Sequence, residues 1–305
     1  MERSINLSKY DVIFLSYDEP NADENYQQLV TMIPYAKRVH GIKGSDTAHK
    51  EAARKSETER FVVIDGDNFL TKENFVKQKL IIKDDLIDIE NSVFSWPSFN
   101  TINGLLYGNG GIKCWPTDLA LSMQTHENAP DDKPRSKIDF CWDINYIPLD
   151  LSFSEIRNNS SKLQAWRAGF REGVKMSLDK GLRPQHVSDL WHGNVKRLLV
   201  WATVGSDVEY GTWAILGARM GCCKVLYSNW NFEQVRNFDY LNSYWENELS
   251  DLSEDDVQEK IETYSNLLKG ILEIPEMFTP RQSKFFKQFN FNTPRQSNLI
   301  FTTFE

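Results

Sequence analysis

The sequence predicts an α/β protein, with a mixed, mostly parallel sheet flanked by helices and a C-terminal arm that is helical and extended. Apolar segments alternate with helical patterns over the first 65 residues, and the connections between them are short. Such alternation is typical of a parallel sheet. Beyond about residue 225 the composition becomes acidic and then basic and aromatic. We therefore expect a domain over 1–225 and an extension over 226–305 that packs on it.

The first 65 residues predict a β-α-β-α-β unit. An apolar strand, Asp11–Ser16, is followed by a polar loop. Asn21, with Glu24 three residues later, is a capping-box pattern that predicts a helix from Ala22 to Ile33. The remaining elements are a weak strand Ala36–His40, a helix from Asp46 to about Lys55 and a buried strand Phe61–Asp65.

The later elements are less regular. Pro97 is expected to end a strand over Asn91–Trp96, and the segment Asn103–Gly111 is glycine-rich. Within it, Gly108-Asn109-Gly110-Gly111 predicts either close approach of the backbone to a sugar or acceptor, or a tight turn between strands. Further predicted elements are a strand 112–115, a helix that Thr117 caps, helices over 161–179 and 211–220, a buried element 197–203 and a helix from Ser253 to about Lys269. In the C-terminal arm Thr-Pro-Arg-Gln-Ser occurs at 279–283 and again at 293–297. We expect this arm to pack its phenylalanines on the core.

Composition limits the function classes. The chain has 305 residues, a formal charge of −8 and no apolar run near the ~20 residues of a membrane span. The N-terminus lacks the apolar stretch of a signal peptide, and four cysteines show no CxxC spacing, so we expect reduced cysteines and a cytoplasmic protein. The acidic balance disfavours indiscriminate DNA binding but allows a local basic face. The oligomeric state is open.

The strongest chemical signal is Asp65-Gly66-Asp67, directly after the third strand. Residues i and i+2 project the same way, so both carboxylates can converge on one hard cation, Mn²⁺ or Mg²⁺. Open α/β sheets bind ligands at this edge. The cation would then hold a diphosphate, as in the DxD motif of nucleotide-sugar glycosyltransferases. Asp-Gly-Asp is also a common turn, and a haloacid-dehalogenase-type phosphatase is an alternative, although its DxD normally follows the first strand.

Other residues are candidates for the same site. Tyr17 and Asp18 follow the first strand, and Lys43 and His49 precede the third, so these four side chains are candidates to face a nucleotide. His49 is equally compatible with a solvated helix residue. His192 is a candidate third metal ligand, or a structural histidine.

Two further segments are candidates for the acceptor side. Asp139 and Asp143 share a face in a helix or a strand, so either carboxylate is a candidate catalytic base; a helix cap with a salt bridge is the alternative. Arg167 and Arg171 recur at helical spacing with Lys175 and predict either phosphate contacts or a solvated helix face.

Several segments together resemble GT-A-type glycosyltransferases of tailed bacteriophages, in particular those that glycosylate 5-hydroxymethylcytosine in DNA, including arabinosyltransferases. The resemblance covers residues 10 to about 220. The segments that carry it are 16–21, 40–44, Asp65-Gly66-Asp67, Tyr107-Gly108-Asn109-Gly110-Gly111, Asp139-Phe140-Cys141-Trp142-Asp143 and 170–175.

The resemblance implies a GT-A-like, Rossmann-type sheet, a UDP-sugar donor, and Mn²⁺ or Mg²⁺ held by Asp65 and Asp67. It places Gly110, Gly111 and the segment with Trp142 near the acceptor, which would be 5-hydroxymethylcytosine in phage DNA. The protein would then act in the host cytoplasm. The sugar, a pentose such as arabinose or a hexose, is open, as is inversion or retention.

Two alternatives remain from the sequence. One keeps the transferase but replaces DNA by a glycan or small-molecule acceptor. The other is a non-catalytic DNA-binding or virion protein built on a degenerate transferase fold.

Overall fold

The structure is a computed structural model that describes residues 3–83, 85–142, 144–289 and 300–304, with the backbone alone for 107–110 and 301. The strands are β1 (Arg3–Asn6), β2 (Asp11–Ser16), β3 (Lys37–His40), β4 (Arg60–Asp65), β5 (Asn68–Leu70), β6 (Gln78–Ile82), β7 (Ser92–Asn100), β8 (Leu106–Pro116), β9 (Asn145–Pro148), β10 (Ser154–Ile156) and β11 (Ile300–Phe304). The helices are α1 (Ala22–Met32), α2 (Ser45–Lys55), α3 (Thr117–Ser122), α4 (Lys162–Met176), α5 (His192–Trp201), α6 (Gly211–Leu226), α7 (Phe238–Glu248), α8 (Glu254–Leu268) and α9 (Pro280–Phe286).

These residues form two compact units. The first contains 3–100, 106–157 and 300–304, and the second contains 101–105 and 158–289. The predicted boundary after residue 225 falls inside helix α6.

The first unit is a mixed α/β structure around an eight-stranded sheet. The strand order is β3-β2-β4-β8-β7-β10-β5, with β9 beside β7. Strands β2, β3 and β4 are parallel, as the alternation of strands and helices predicts, whereas β8 runs antiparallel to both β4 and β7. A separate antiparallel sheet, β1-β6-β11, was not expected from the sequence.

Helices α1 and α2 cover opposite faces of this sheet. Leu29 of α1 packs with Val12 and Phe14 of β2, while Ala52 of α2 packs with Ile13, the residue between them in the strand. Alternate residues of a strand point to opposite faces, so the two helices sandwich β2 and its neighbours. The connection from β2 to β3, which contains α1, thus crosses one face of the sheet, and the connection from β3 to β4, which contains α2, crosses the other. The carboxyl ends of β2 and β4 therefore form a topological switch point, where such sheets bind ligands.

Pro97 does not end its strand, contrary to the sequence prediction. Strand β7 continues to Asn100, but its pairing with β8 is irregular: Trp96 pairs with Ile112 and Ser98 with Tyr107. One residue of β7, Pro97, therefore faces residues 108–111 of β8. Proline has no N–H to donate to a ladder, so an irregularity is where a strand tolerates it.

The same irregularity involves Gly108-Asn109-Gly110-Gly111, for which a tight turn was one of the two predictions. Residues from Leu106 onward belong to β8 instead. Gly111 has a φ of 94°, and a Cβ there would overlap the side chain of Asn68. The glycine is needed for the irregular pairing and for the close approach of Asn68.

Most helix starts agree with the sequence, but two predicted caps do not form. Thr117 is the first residue of α3, whose cap position is Pro116. The other difference is at α1. This helix begins at Ala22, but the side chain of Asn21 makes no capping hydrogen bond; its amide donates to the backbone oxygen of Arg157 at 2.8 Å. Capping boxes are present where Ser253 precedes α8 and where Thr279 precedes α9.

The second unit is helical and depends on close contact between α4 and α6. A Cβ on Gly169 would lie 2.7 Å from the carbonyl carbon of Ala214, and one on Gly173 would lie 2.8 Å from that of Ala218. A Cβ atom does not come this close to a carbon to which it is not bonded, so only glycine at these positions permits the contact between the two backbones. The small residues predicted along the 211–220 helix thus face a second helix.

Two predictions on the C-terminal arm have different outcomes. Phe285 and Phe289 are 60% and 52% exposed, so these phenylalanines do not pack on the core as expected. The second Thr-Pro-Arg-Gln-Ser copy, at 293–297, lies outside the described residues.

Candidate functional site

The loops that follow β2 and β4 touch one another at the switch point. Asp65 ends β4 and pairs with Leu15 of β2 in parallel register. A Cβ on Gly66 would lie 2.8 Å from Cβ of Ser16 and 2.6 Å from Oε2 of Glu19. Glycine at position 66 is therefore required for these two loops to meet.

The meeting of the loops produces an acidic edge. Oε2 of Glu19 accepts a hydrogen bond from the backbone N–H of Tyr17 at 2.8 Å. Burial raises the pKa of the Glu19 carboxyl, and the negative charges of Asp18 and Asp65 raise that pKa further. This acid-rich edge would favour a bound cation.

Lys113 balances part of this charge. Its Nζ donates to Oδ2 of Asp65 at 3.0 Å, and the lysine side chain is 7% exposed while that of Asp65 is 36% exposed. Lys113 pairs with Val63 in the neighbouring strand, so its side chain projects from the same sheet face as Asp65, two residues later. Asp65 thus lies between the buried Lys113 ammonium and solvent. Lys113 was not among the site residues predicted from the sequence, although a charged residue inside an apolar strand is a signal for such a role.

Asp67 is positioned by a buried hydrogen-bond network. Its backbone oxygen accepts from the N–H of Arg157 at 2.8 Å, and its Oδ1 accepts from the amide of Asn68 at 3.0 Å. Oδ1 of Asn68 accepts in turn from the hydroxyls of Ser98 and Ser154 at 3.0 and 2.8 Å. The two serine hydroxyls fix the Asn68 side chain, and the Asn68 amide in turn holds the Asp67 carboxylate.

His49 lies on the same face of the sheet as Asp65, and it is buried. Its ring centroid is 5.3 Å from that of Trp115 and 4.7 Å from that of Phe140. Nδ1 lies 2.8 Å from the carbonyl oxygen of Ser45, which can only accept, so Nδ1 carries the proton. Burial lowers the pKa of His49, and the Lys113 ammonium lowers it further. The ring is therefore neutral, not solvated, and its Nε2 is an acceptor.

Three buried polar atoms in this cluster have no hydrogen-bond partner among the described residues: Nε2 of His49, Nε1 of Trp115 and the hydroxyl of Tyr146. The Trp115 and Tyr146 rings meet edge to face, with centroids 5.7 Å apart. Burial raises the pKa of Tyr146 well above its usual range, so the hydroxyl keeps its proton. One acceptor and two donors are thus available to a bound water or polar group.

The N-terminus of α2, the helix after Lys43, is already occupied by a carboxylate. Glu127 accepts from the N–H of Thr47 at 2.8 Å and from that of Asp46 at 3.3 Å. Lys43 itself is exposed. A phosphate at this helix end would therefore compete with the Glu127 side chain.

The described part of the Asp139–Asp143 segment, residues 139–142, forms neither the α-helix nor the strand in which residues i and i+4 share a face. Phe140–Trp142 is a short 3₁₀ turn, and Asp143 lies outside the described residues. Oδ1 of Asp139 accepts from the N–H of Cys141 at 3.3 Å, and Trp142 is exposed. Gly110 lies in β8 together with Gly111.

The predicted basic residues of α4 lie in the second unit and pack on an aromatic ring. Arg167 is buried, its guanidinium lies 4.4 Å from the ring centroid of Phe238, and it donates to Asn242 at 3.3 Å. The guanidinium of Arg171 lies 5.1 Å from the same centroid. This placement gives both arginines a packing role in α4 and α7.

His192 also belongs to the second unit, as the first residue of α5, with its ring 5.4 Å from that of Trp191. Within the described ranges, no group of three His, Cys, Asp or Glu side chains is arranged to hold a metal ion.

No protein-family model matches the chain, and no curated protein sequence matches it. Across the part of the chain that the structure describes, no helix is long and apolar enough to cross a membrane.

Proposed function

We propose that this protein is a metal-dependent GT-A-type glycosyltransferase that transfers a sugar from a UDP-sugar to 5-hydroxymethylcytosine in DNA. The observation that carries the proposal is the meeting of the β2 and β4 loops, which brings Glu19 against Gly66, between Asp65 and Asp67. It puts an acidic edge at the switch point, where open α/β sheets bind nucleotides.

The residues present fit a hard cation. Mg²⁺ in such sites takes one or two carboxylates and completes its coordination with substrate phosphates. Asp65 and Asp67 would hold the ion, and the repulsion among Glu19, Asp18 and Asp65 would be relieved by it. When bound, the ion supplies Lewis-acid stabilisation of the departing diphosphate.

The protein's own residues have separate roles in this proposal. Lys113 holds the Asp65 carboxylate through the 3.0 Å ion pair, and the Asn68 network fixes Asp67. Asp139 would accept the proton of the acceptor hydroxyl. The DNA acceptor rests on the resemblance alone, since Arg167 is buried against Phe238 rather than offered to a phosphate.

The decisive experiment is incubation with hydroxymethylated DNA, a panel of UDP-sugars and Mn²⁺ or Mg²⁺, followed by mass spectrometry of the nucleosides. We expect an added pentose or hexose mass and its loss in Asp67→Ala. Asp88→Ala, an exposed carboxylate outside the site, is the matched control and should retain turnover. Absence of transfer and of UDP-sugar hydrolysis with either metal would refute the transferase. Transfer to a glycan but never to DNA would refute the acceptor.

A further inference from the structure

Helix α9 is fixed by one face. Ser283 is buried, and its Oγ accepts from the N–H of Gly205 at 3.3 Å. Lys287, one turn later, makes an ion pair with Asp207 at 2.7 Å and donates to the carbonyl oxygen of Ile102 at 3.2 Å. These contacts lie within the second unit and hold the inner face of the helix.

The opposite face carries aromatic and basic side chains in solvent. Arg281, Lys284 and Phe285 are exposed on it, and Phe289 follows one turn after Phe285. Phe285 is 60% and Phe289 52% exposed, and their ring centroids lie 5.0 Å apart in an edge-to-face pair. Two adjacent phenylalanines held in water by a fixed helix suggest a surface that a partner covers.

The charge of this face favours a polyanion. The chain as a whole has a formal charge of −8, yet residues 279–289 contain three basic residues and no acidic one. Lys287 is paired with Asp207, so Arg281 and Lys284 supply the outward positive charge. A protein whose net charge repels polyanions thus presents a local basic and aromatic face.

We propose that the outer face of α9, formed by Arg281, Lys284, Phe285 and Phe289, binds single-stranded DNA. Unpaired bases expose ring faces that stack on phenylalanine, while duplex bases are already stacked on each other. The two cations contact phosphates. The proposal rests on the proposed function only in the choice of DNA, and it requires no catalysis.

The test is fluorescence anisotropy with a labelled 12-mer of thymidylate and with a duplex of equal length, without UDP-sugar. We expect single-strand binding to exceed duplex binding. The double variant Phe285→Ala/Phe289→Ala should weaken single-strand binding by about 5- to 150-fold for each base that stacks. Arg281→Gln/Lys284→Gln should lower the slope of log affinity against log salt by about 1.4. Leu267→Ala, which removes another exposed apolar side chain of this unit, should change neither.

Several outcomes would overturn this inference. One is equal binding of single strand and duplex that the phenylalanine variant leaves unchanged. Another is self-association in sedimentation that the phenylalanine variant abolishes while DNA does not bind, which would make the face a protein contact. Urea unfolding of each variant, expected to match wild type, excludes misfolding. Asp67→Ala should retain DNA binding, so loss of turnover and loss of binding are separable.

Discussion

The ion pair between Asp65 and Lys113 gives the sharpest quantitative prediction. Asp65→Asn removes the carboxylate charge but keeps an oxygen that can accept from the Lys113 ammonium. The lysine side chain is 7% exposed, so the variant leaves a largely buried positive charge without its counter-charge.

The size of the effect follows from geometry and exposure. Unit charges 3.0 Å apart attract by roughly 5 kcal/mol at an effective dielectric constant of about 20. Breaking a buried pair costs about 3–5 kcal/mol, while exposed pairs contribute about 0–1 kcal/mol. Because Asp65 is 36% exposed, we expect Asp65→Asn to lower the free energy of unfolding by about 2 kcal/mol.

The assay is a double-mutant cycle with Lys113→Met, measured by urea unfolding at pH 7. Both single variants should be destabilised, and the double variant should lose less than their sum, with a coupling energy of about 1–2 kcal/mol. The matched control is Lys137–Asp131, at 2.9 Å but with a fully exposed carboxylate. Its coupling should be much smaller than that of Asp65–Lys113, because solvent screens an exposed pair. A coupling at Asp65–Lys113 no larger than the control would refute the claim that burial makes this pair matter.

Three further predictions concern stability. Gly169→Ala places a methyl carbon 2.7 Å from the carbonyl carbon of Ala214, so α4 and α6 must separate. The free energy of unfolding should therefore fall by about 1–3 kcal/mol. An unchanged urea midpoint would contradict the close contact between the helices. Burial lowers the pKa of His49 below 6.5, so the unfolded state binds a proton first, and stability should fall by up to about 1.4 kcal/mol per pH unit below 6.5. Unfolding at pH 7.5, 6.0 and 5.5 should show a flatter dependence in His49→Gln; parallel curves would contradict a buried neutral ring. Glu19→Gln removes a carboxylate whose pKa is raised by burial. The fold loses stability as the pH rises through that pKa, so the variant should be more stable than wild type at pH 7. The variant should also bind UDP and Mn²⁺ more weakly. A lower stability of the variant would show that the Glu19 charge is favourable.

The parallel part of the sheet could be predicted because its signals are local. The strands at Asp11–Ser16 and Arg60–Asp65 are short apolar runs, and the helix between β3 and β4 contains three alanines and two lysines. The capping box before α8 is likewise a pattern within four residues. Each signal acts over one turn or one strand, so a single sequence carries it.

The antiparallel part could not be predicted in the same way. Whether Pro97 ends a strand depends on what lies opposite it, and here it faces residues 108–111 of β8. The glycines that read as a turn are part of that irregular ladder. Pairing between distant segments leaves little mark on the composition of either one.

By itself, the sequence determined that Asp65-Gly66-Asp67 follows a buried parallel strand, because strand and turn signals are encoded within a few neighbouring residues. Only the tertiary structure decided what surrounds that motif. Lys113 reaches Asp65 because β8 pairs antiparallel to β4, and Glu19 reaches Gly66 because β2 and β4 are adjacent. The same holds for Arg167, whose guanidinium lies over Phe238 of another helix instead of facing solvent. Electrostatic and stacking contacts depend on distances through space, and the packing of whole elements sets those distances.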